Sequence, residues 1–136
     1  MGNEWFWLPH RVSYQETDAM GVVYYANYLH WFEMGRTEYI RAKGICYRHL
    51  ENKGLFLPVR ETGCRYLKPA RYDDVVAIGS CVEQPGRASV RFVYEIRSED
   101  KEQLLVTGFT QLVAVDKNGK PVRLPQEVKG LLGIHE

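Results

Sequence analysis

One long helical stripe constrains the rest of this chain more than any other feature. Over residues 27–43 the apolar positions recur at Tyr28, Phe32, Gly35, Tyr39 and Ala42. That spacing of four, three, four and three traces one side of an α-helix. Leu29, Trp31, Met34 and Ile40 widen the stripe, leaving a narrow polar face with His30, Glu33, Thr37 and Arg41. A helix of ~17 residues runs ~25 Å. Apolar around most of its girth, it should be largely enclosed by other structure. Gly44 stops it, just past a last turn that holds Arg41 and Lys43.

The flanking sequence offers strands to do the enclosing. Residues 10–16 alternate as a strand does, until Thr17 and Asp18 interrupt the pattern. After the helix, residues 47–53 are polar enough for one or two helical turns. Extended segments follow at residues 55–67, 74–83, 88–97 and 104–115. They are punctuated by Lys68-Pro69, Pro85-Gly86, a charged turn over 98–102, and Asp116-Lys117-Asn118-Gly119. A short helix is expected after Pro125. Tight turns between long strands mean antiparallel neighbours. Ala88, Val90, Phe92, Tyr94 and Ile96 share one face of their strand, with Ser89, Arg91, Glu95 and Arg97 opposite. One helix cannot cover both faces of such a sheet. The expected architecture is therefore α+β: a single domain over residues 1–136, with about five antiparallel strands curled around one central helix. Its remaining apolar surface would be buried in a homo-oligomer, a dimer or a tetramer.

Composition narrows the function classes. A formal net charge of +1 gives no global field for nucleic acid or an acidic membrane surface. Cys46, Cys64 and Cys81 are odd in number, far apart and free of any C-x-x-C pair. They read as buried thiols of a cytoplasmic protein rather than as a disulfide or zinc framework. The aromatic N-terminus has no apolar run of signal-peptide or membrane-span length, and Phe6 breaks the N-myristoylation pattern begun by Gly2. His10, His30, His49 and His135 lack metal-ligand spacing and are expected to be structural or solvated, so no metal or other cofactor is expected.

The chemistry concentrates in YQETDAMGVVYYANYLHWFE, residues 14–33. Asp18 stands between the first strand and the long helix, followed by Gly21 and the amides that lead into the helix N-terminus. A carboxylate near such amides can act on a carbonyl whose oxygen the amides hold. Equally, Thr-Asp before Gly is ordinary turn chemistry, and spacing alone leaves both readings standing.

The stretch R-V-x4-T-D-x2-G-V-V-Y, with Tyr28 four residues on, closely resembles the signature of the 4-hydroxybenzoyl-CoA thioesterase family. The likeness extends through NYLHWFEMGRTEYIRAKG to YLKPARYDD and GRASVRFVYEI, nearly the whole chain, and is also similar to the bacterial Tol-Pal-associated thioesterases. It implies the hotdog fold, with active sites at dimer interfaces, and hydrolysis of small- to medium-chain acyl-CoA. It equally fits a non-catalytic module that binds acyl-CoA or acyl carrier protein. By resemblance Asp18 is the catalytic carboxylate, acting as nucleophile or as general base, and the Tyr25 amide polarises the thioester carbonyl. Gly21, Tyr24 and Glu33 would line the substrate site, Glu33 otherwise pairing with Arg36 on the helix. Lys68, Arg71, Arg87 and Ser89 would meet the coenzyme's phosphates and pantetheine. Tyr14, Tyr24, Tyr28 and Trp31 are otherwise expected in the core. One departure concerns Tyr25. Many bacterial relatives with aliphatic substrates carry His there, whereas the hydroxybenzoyl-CoA branch carries Tyr.

Overall fold

The computed structural model describes residues 4–83 and 86–132. Five strands, β1 (Phe6–Arg11), β2 (Val59–Tyr66), β3 (Val75–Glu83), β4 (Ser89–Ser98) and β5 (Leu104–Val113), form one antiparallel sheet in the order β1-β3-β4-β5-β2. The long helix α1 (Asn27–Ala42) packs on its concave side, and two single-turn-scale helices, α2 (Tyr47–Asn52) and α3 (Gln126–Leu131), close the periphery. The expected α+β architecture is therefore present, and the short C-terminal helix begins at the residue after Pro125 as expected.

The helical stripe is the buried face of α1. Tyr28, Phe32, Gly35 and Tyr39 all point into the sheet, joined by Trp31 and Ile40. Phe32 stacks on Tyr94 at 4.3 Å between ring centroids, and Tyr39 meets Phe92 edge-on at 5.6 Å. Both partners lie on the inward face of β4 with Val90 and Ile96, the face that alternation singles out. Gly35 marks the closest approach: a Cβ there would come within 2.5 Å of Ser80 Oγ and 2.9 Å of Ile78 Cγ2. The widened girth is not enclosed in the same way. Leu29 is exposed while Arg36 is buried, so the sheet covers one side of the helix only.

Two features differ from the sequence expectation. The first strand is Phe6–Arg11 rather than residues 10–16, because Ser13 and Glu16 turn the chain into a 3-10 turn at Tyr14–Glu16. Glu16 reaches back to the Ser13 N–H at 2.8 Å, the reciprocal half of a capping box that alternation conceals. The second difference is β2. It lies at the sheet edge beside β5, not next to β3, so residues 67–74 must cross the sheet end instead of forming a tight turn. That crossing passes the N-terminal end of α1, where Ala70 N–H donates to the Tyr28 hydroxyl at 3.2 Å and Val22 pairs with Arg71.

The outer sheet face is partly covered from within. Trp7 lies over Gly79 so closely that a Cβ there would come 2.6 Å from its ring. Cys81 is buried as expected, whereas Cys46 and Cys64 are only half-buried; all three thiols are free. Tyr28 and Trp31 are core residues, but Tyr24 is 46% exposed on the loop before α1 and Tyr14 is 79% exposed, placed edge-on to Tyr72 by the same 3-10 turn. No helix among the described residues is long and apolar enough to cross a membrane.

Candidate functional site

The segment between β1 and α1 is a compact loop held at both ends. Thr17 and Val23 bridge across its base, and Asp18 N–H donates to Val22 O at 2.9 Å. Gly21 takes φ +77°, the left-handed conformation that lets the chain reverse here, and donates to Asp18 O at 3.0 Å. Asp18 is half-buried, and its Oδ1 accepts the Met20 N–H at 2.8 Å. The turn-capping reading is thus correct as far as it goes. It uses one carboxylate oxygen, and among the described residues no donor engages Oδ2.

The other half of the site is the entry to α1. Tyr24 N–H donates to Glu16 O, and the first helical bonds run from Asn27 to Tyr24 O and from Tyr28 to Tyr25 O. Between them, the Tyr25 and Ala26 amides have no acceptor among the described residues. Two free N–H groups therefore stand at the positive end of a 16-residue helix. The Tyr25 side chain is 60% exposed and packs against Tyr24 at 4.7 Å and Tyr66 at 6.3 Å. Its phenol, by hydrogen bonding and charge, pushes the neighbouring Tyr24 phenol above the ordinary tyrosine value.

Beside this amide pair lies a hollow of about 220 Å³ lined by Val23, Tyr25, Tyr28, Tyr66, Lys68 and their neighbours. Tyr66 is the residue that pattern reading missed. Its hydroxyl donates to Tyr25 O at 3.4 Å, and burial, followed by the Cys64 thiol, pushes its phenol up to about 12. The available signal was its place in the aromatic-basic run Tyr66-Leu67-Lys68, next to the turn that returns the chain to the helix N-terminus.

The expected site residues separate into two groups. Asp18, Gly21, Tyr24 and Tyr25 share the loop; Lys68 lines the adjoining hollow, and Arg71 pairs through its backbone with Val22 of the loop. Glu33, Arg87 and Ser89 do not join them within one protomer. Ser89 opens β4 opposite Val113, whereas the Asp18 loop follows Arg11, which pairs with Val75 at the other sheet end. Arg87 is exposed two residues before it. Glu33 faces a separate cleft of about 420 Å³ with Arg36, Tyr47 and residues 56–58. The helical Glu33–Arg36 pair does not form. Glu33 stands 3.5 Å from His30 Nδ1, while Arg36 turns inward until its Nη1 reaches the Tyr94 hydroxyl at 3.5 Å. Among the described residues no group of three or more His, Cys, Asp or Glu could hold a metal ion.

A carboxylate with one oxygen open, on the loop that leads into free helix-terminal amides, supplies the two kinds of group that carbonyl chemistry uses. Among known proteins, the profile of the thioesterase-like superfamily matches residues 12–132. The chain belongs to that superfamily. Its five-stranded sheet and long helix are the hotdog thioesterase fold. Among its relatives is the acyl-CoA thioesterase YbgC of Haemophilus influenzae, 36% identical over 127 residues, covering 91% of each chain. Among solved structures, a hypothetical protein from Aquifex aeolicus superposes with a TM-score of 0.87 at 35% identity, covering 93% of this chain and 98% of that one. The DHNA-CoA thioesterase from Staphylococcus aureus superposes with a TM-score of 0.83 at 36% identity, covering 88% and 80%. Within this superfamily fold, the loop and helix terminus described above occupy the junction of first strand and central helix.

Proposed function

We propose that this chain hydrolyses small- to medium-chain acyl-CoA thioesters to free acid and coenzyme A, with Asp18 and the Tyr25 amide as the reacting pair. The observation that carries the reading is the open Asp18 Oδ2 on the loop that also delivers two unpaired amides at the α1 N-terminus. The names of the relatives support the thioester class, and the resemblance to 4-hydroxybenzoyl-CoA thioesterases and Tol-Pal-associated enzymes supports these residue roles.

The thioester carbonyl oxygen accepts the Tyr25 N–H, which stabilises the charge that grows on it during attack. As a general base, Asp18 takes a proton from water, and the resulting hydroxide adds to the carbonyl carbon. Collapse of the tetrahedral adduct breaks the C–S bond, and the proton passes to the departing coenzyme thiolate. As a nucleophile, Asp18 instead displaces that thiolate, and water cleaves the mixed anhydride. Single turnover in oxygen-18 water tests the second route, because label in the Asp18 side chain requires an anhydride that water opens at the Asp18 carbonyl. Lys68 and Arg71 flank the loop as phosphate-binding groups for the coenzyme. Arg87, Ser89 and Glu33 reach a site only if a second copy supplies them, so the proposed enzyme is a homo-oligomer. An acyl carrier protein offering the same thioester is the other carrier this chemistry accepts, and the cytoplasm is the proposed location.

Asp18→Asn is a clean test, because the amide oxygen still accepts the Met20 N–H while the charge is lost. Thiol release from a panel of acyl-CoAs should fall by about 100-fold or more. Unchanged turnover sinks the assignment of Asp18. Saturable coenzyme A binding without any thiol release would identify a binding module instead.

A further inference from the structure

One side chain behind the site makes more contacts than its half-buried position requires. The Glu16 carboxylate accepts Ser13 N–H at 2.8 Å and Ser13 O–H at 3.1 Å through Oε1, and the Trp31 indole N–H at 2.7 Å through Oε2. His10 Nε2 lies 2.9 Å and 3.0 Å from the two oxygens. Facing a carboxylate, that nitrogen carries the proton. The Glu16 backbone carbonyl accepts the Tyr24 N–H at 2.9 Å and the Asn27 side-chain amide at 2.7 Å. His10 in turn packs edge-on against Trp31 at 5.1 Å.

These bonds connect five pieces of chain: β1 through His10, the 3-10 turn through Ser13, the loop end through Tyr24, and the first and second turns of α1 through Asn27 and Trp31. Glu16 touches neither the open Asp18 oxygen nor the Tyr25 amide. It stands two residues before the first, and the residue preceding the second is bound to its carbonyl. The Thr17–Val23 bridge and the Asp18–Val22 bond close the loop on itself, and Glu16, through its carboxylate and its backbone carbonyl, ties that loop to β1 and to the first two turns of α1.

We propose that Glu16 is the positioning residue of the site, clamping the Asp18 loop and the amide end of α1 onto β1 so that carboxylate and amide hold a fixed separation. This inference rests on the proposed thioesterase activity and adds a role to a residue that meets no substrate. The requirement is for an acceptor-only group. All four side-chain partners are donors, and a glutamine in the same place turns one oxygen into an NH2 that must face a donor. A misplacement on the ångström scale costs turnover far more than it costs binding, because the coenzyme's own contacts lie elsewhere.

The test compares wild type, Glu16→Gln, Glu16→Asp, Trp31→Phe and Asp18→Asn for hydrolysis of one acyl-CoA, with coenzyme A binding followed by thermal shift. Assays are run well below each variant's melting temperature. Glu16→Gln is expected to lower kcat by about 10- to 100-fold with KM changed less than about 3-fold. Glu16→Asp, which keeps the acceptor chemistry, should recover part of kcat. If Glu16→Gln fails to fold, Trp31→Phe, which removes the indole donor together with part of a buried ring, should still lower kcat several-fold at unchanged KM. A kcat within about 2-fold of wild type in whichever variant folds overturns the positioning role. So does loss of kcat only in proportion to the unfolded fraction. Activity in wild type but not in Asp18→Asn, with Glu16→Gln at full rate, would overturn this inference alone. No thiol release by wild type would overturn the proposed function and this role with it.

Discussion

At the scale of single residues, the site mixes structural and chemical duties in the same groups. Asp18 caps a turn with one oxygen and leaves the other open. In the proposed site Tyr25 acts through its backbone N–H, and its ring lines the neighbouring hollow. Glu16 shows how such a loop acquires a pH dependence of stability. Burial pushes its carboxylate upward, but the Ser13 N–H, the Trp31 indole and His10 outweigh burial and hold it below the ordinary glutamate value of 4.5. A depressed folded-state value means the charged form stabilises the fold above the unfolded value, and that this stability is lost as pH falls through the folded one. Glu16→Gln should therefore destabilise by roughly 1–3 kcal/mol at neutral pH. The gap from wild type should narrow as the pH drops below about 4.5. Urea titrations of both proteins at a series of pH values measure that gap, and a constant difference across the series would contradict the assigned charge. Residue types leave Asp18 either a turn cap or a catalyst, and the family resemblance alone gives it and Tyr25 a role; neither points to Glu16, whose meaning comes from Trp31 fifteen positions away.

At the scale of elements, the helix was legible because its periodicity is a local property. Its stripe from Tyr28 to Tyr39 is the packed face, and the inward face of β4 follows from alternation in the same way. What local pattern could not supply was the partner of each element. Alternation sets the strand before the helix too late, because it continues through Ser13 and Glu16, where a side-chain bond bends the backbone instead. The edge position of β2 depends on pairing with β5, a long-range choice that no turn signal encodes. Gly35 is the element-scale device that local reading counted merely as apolar. Its missing side chain lets α1 settle on β3, above the buried Ser80 hydroxyl, which has no hydrogen-bond partner among the described residues. Gly35→Ala should destabilise by about 1–3 kcal/mol, since the gain in helix propensity is smaller than the overlap with Ser80 and Ile78. Ser80→Ala alone should be near neutral, because it removes an orphaned hydroxyl along with its cost of burial. Combined, the two changes should be less damaging than their sum, as the closest clash disappears with the hydroxyl. Chemical denaturation of the three variants closes this cycle. Strict additivity would mean that helix and strand do not meet as described.

At the scale of the whole molecule, the proposed enzyme is incomplete as one protomer. Arg87 and Ser89 sit at the sheet end opposite the Asp18 loop, and Glu33 faces a different cleft. The outer edge of β2 is unpaired among the described residues, and Val59 and Tyr66 are each about half exposed along it. An open strand edge beside a one-sided site is what a second copy, related by a two-fold axis, would cover. If Arg87 of one copy serves the Asp18 of another, two defective chains can repair each other. Asp18→Asn carries a sound Arg87, and Arg87→Ala carries a sound Asp18. In a statistical mixture half the dimers are mixed, and each mixed dimer has one intact site out of two. Co-refolded in equal amounts and assayed at low acyl-CoA, the pair should recover about a quarter of the wild-type rate, far above either variant alone. Light scattering on the same samples should report a dimer or a larger assembly. Arg87 serving a site on its own chain would leave the mixture no better than the average of its parts, because each mixed dimer would then hold two damaged sites instead of one repaired and one doubly damaged.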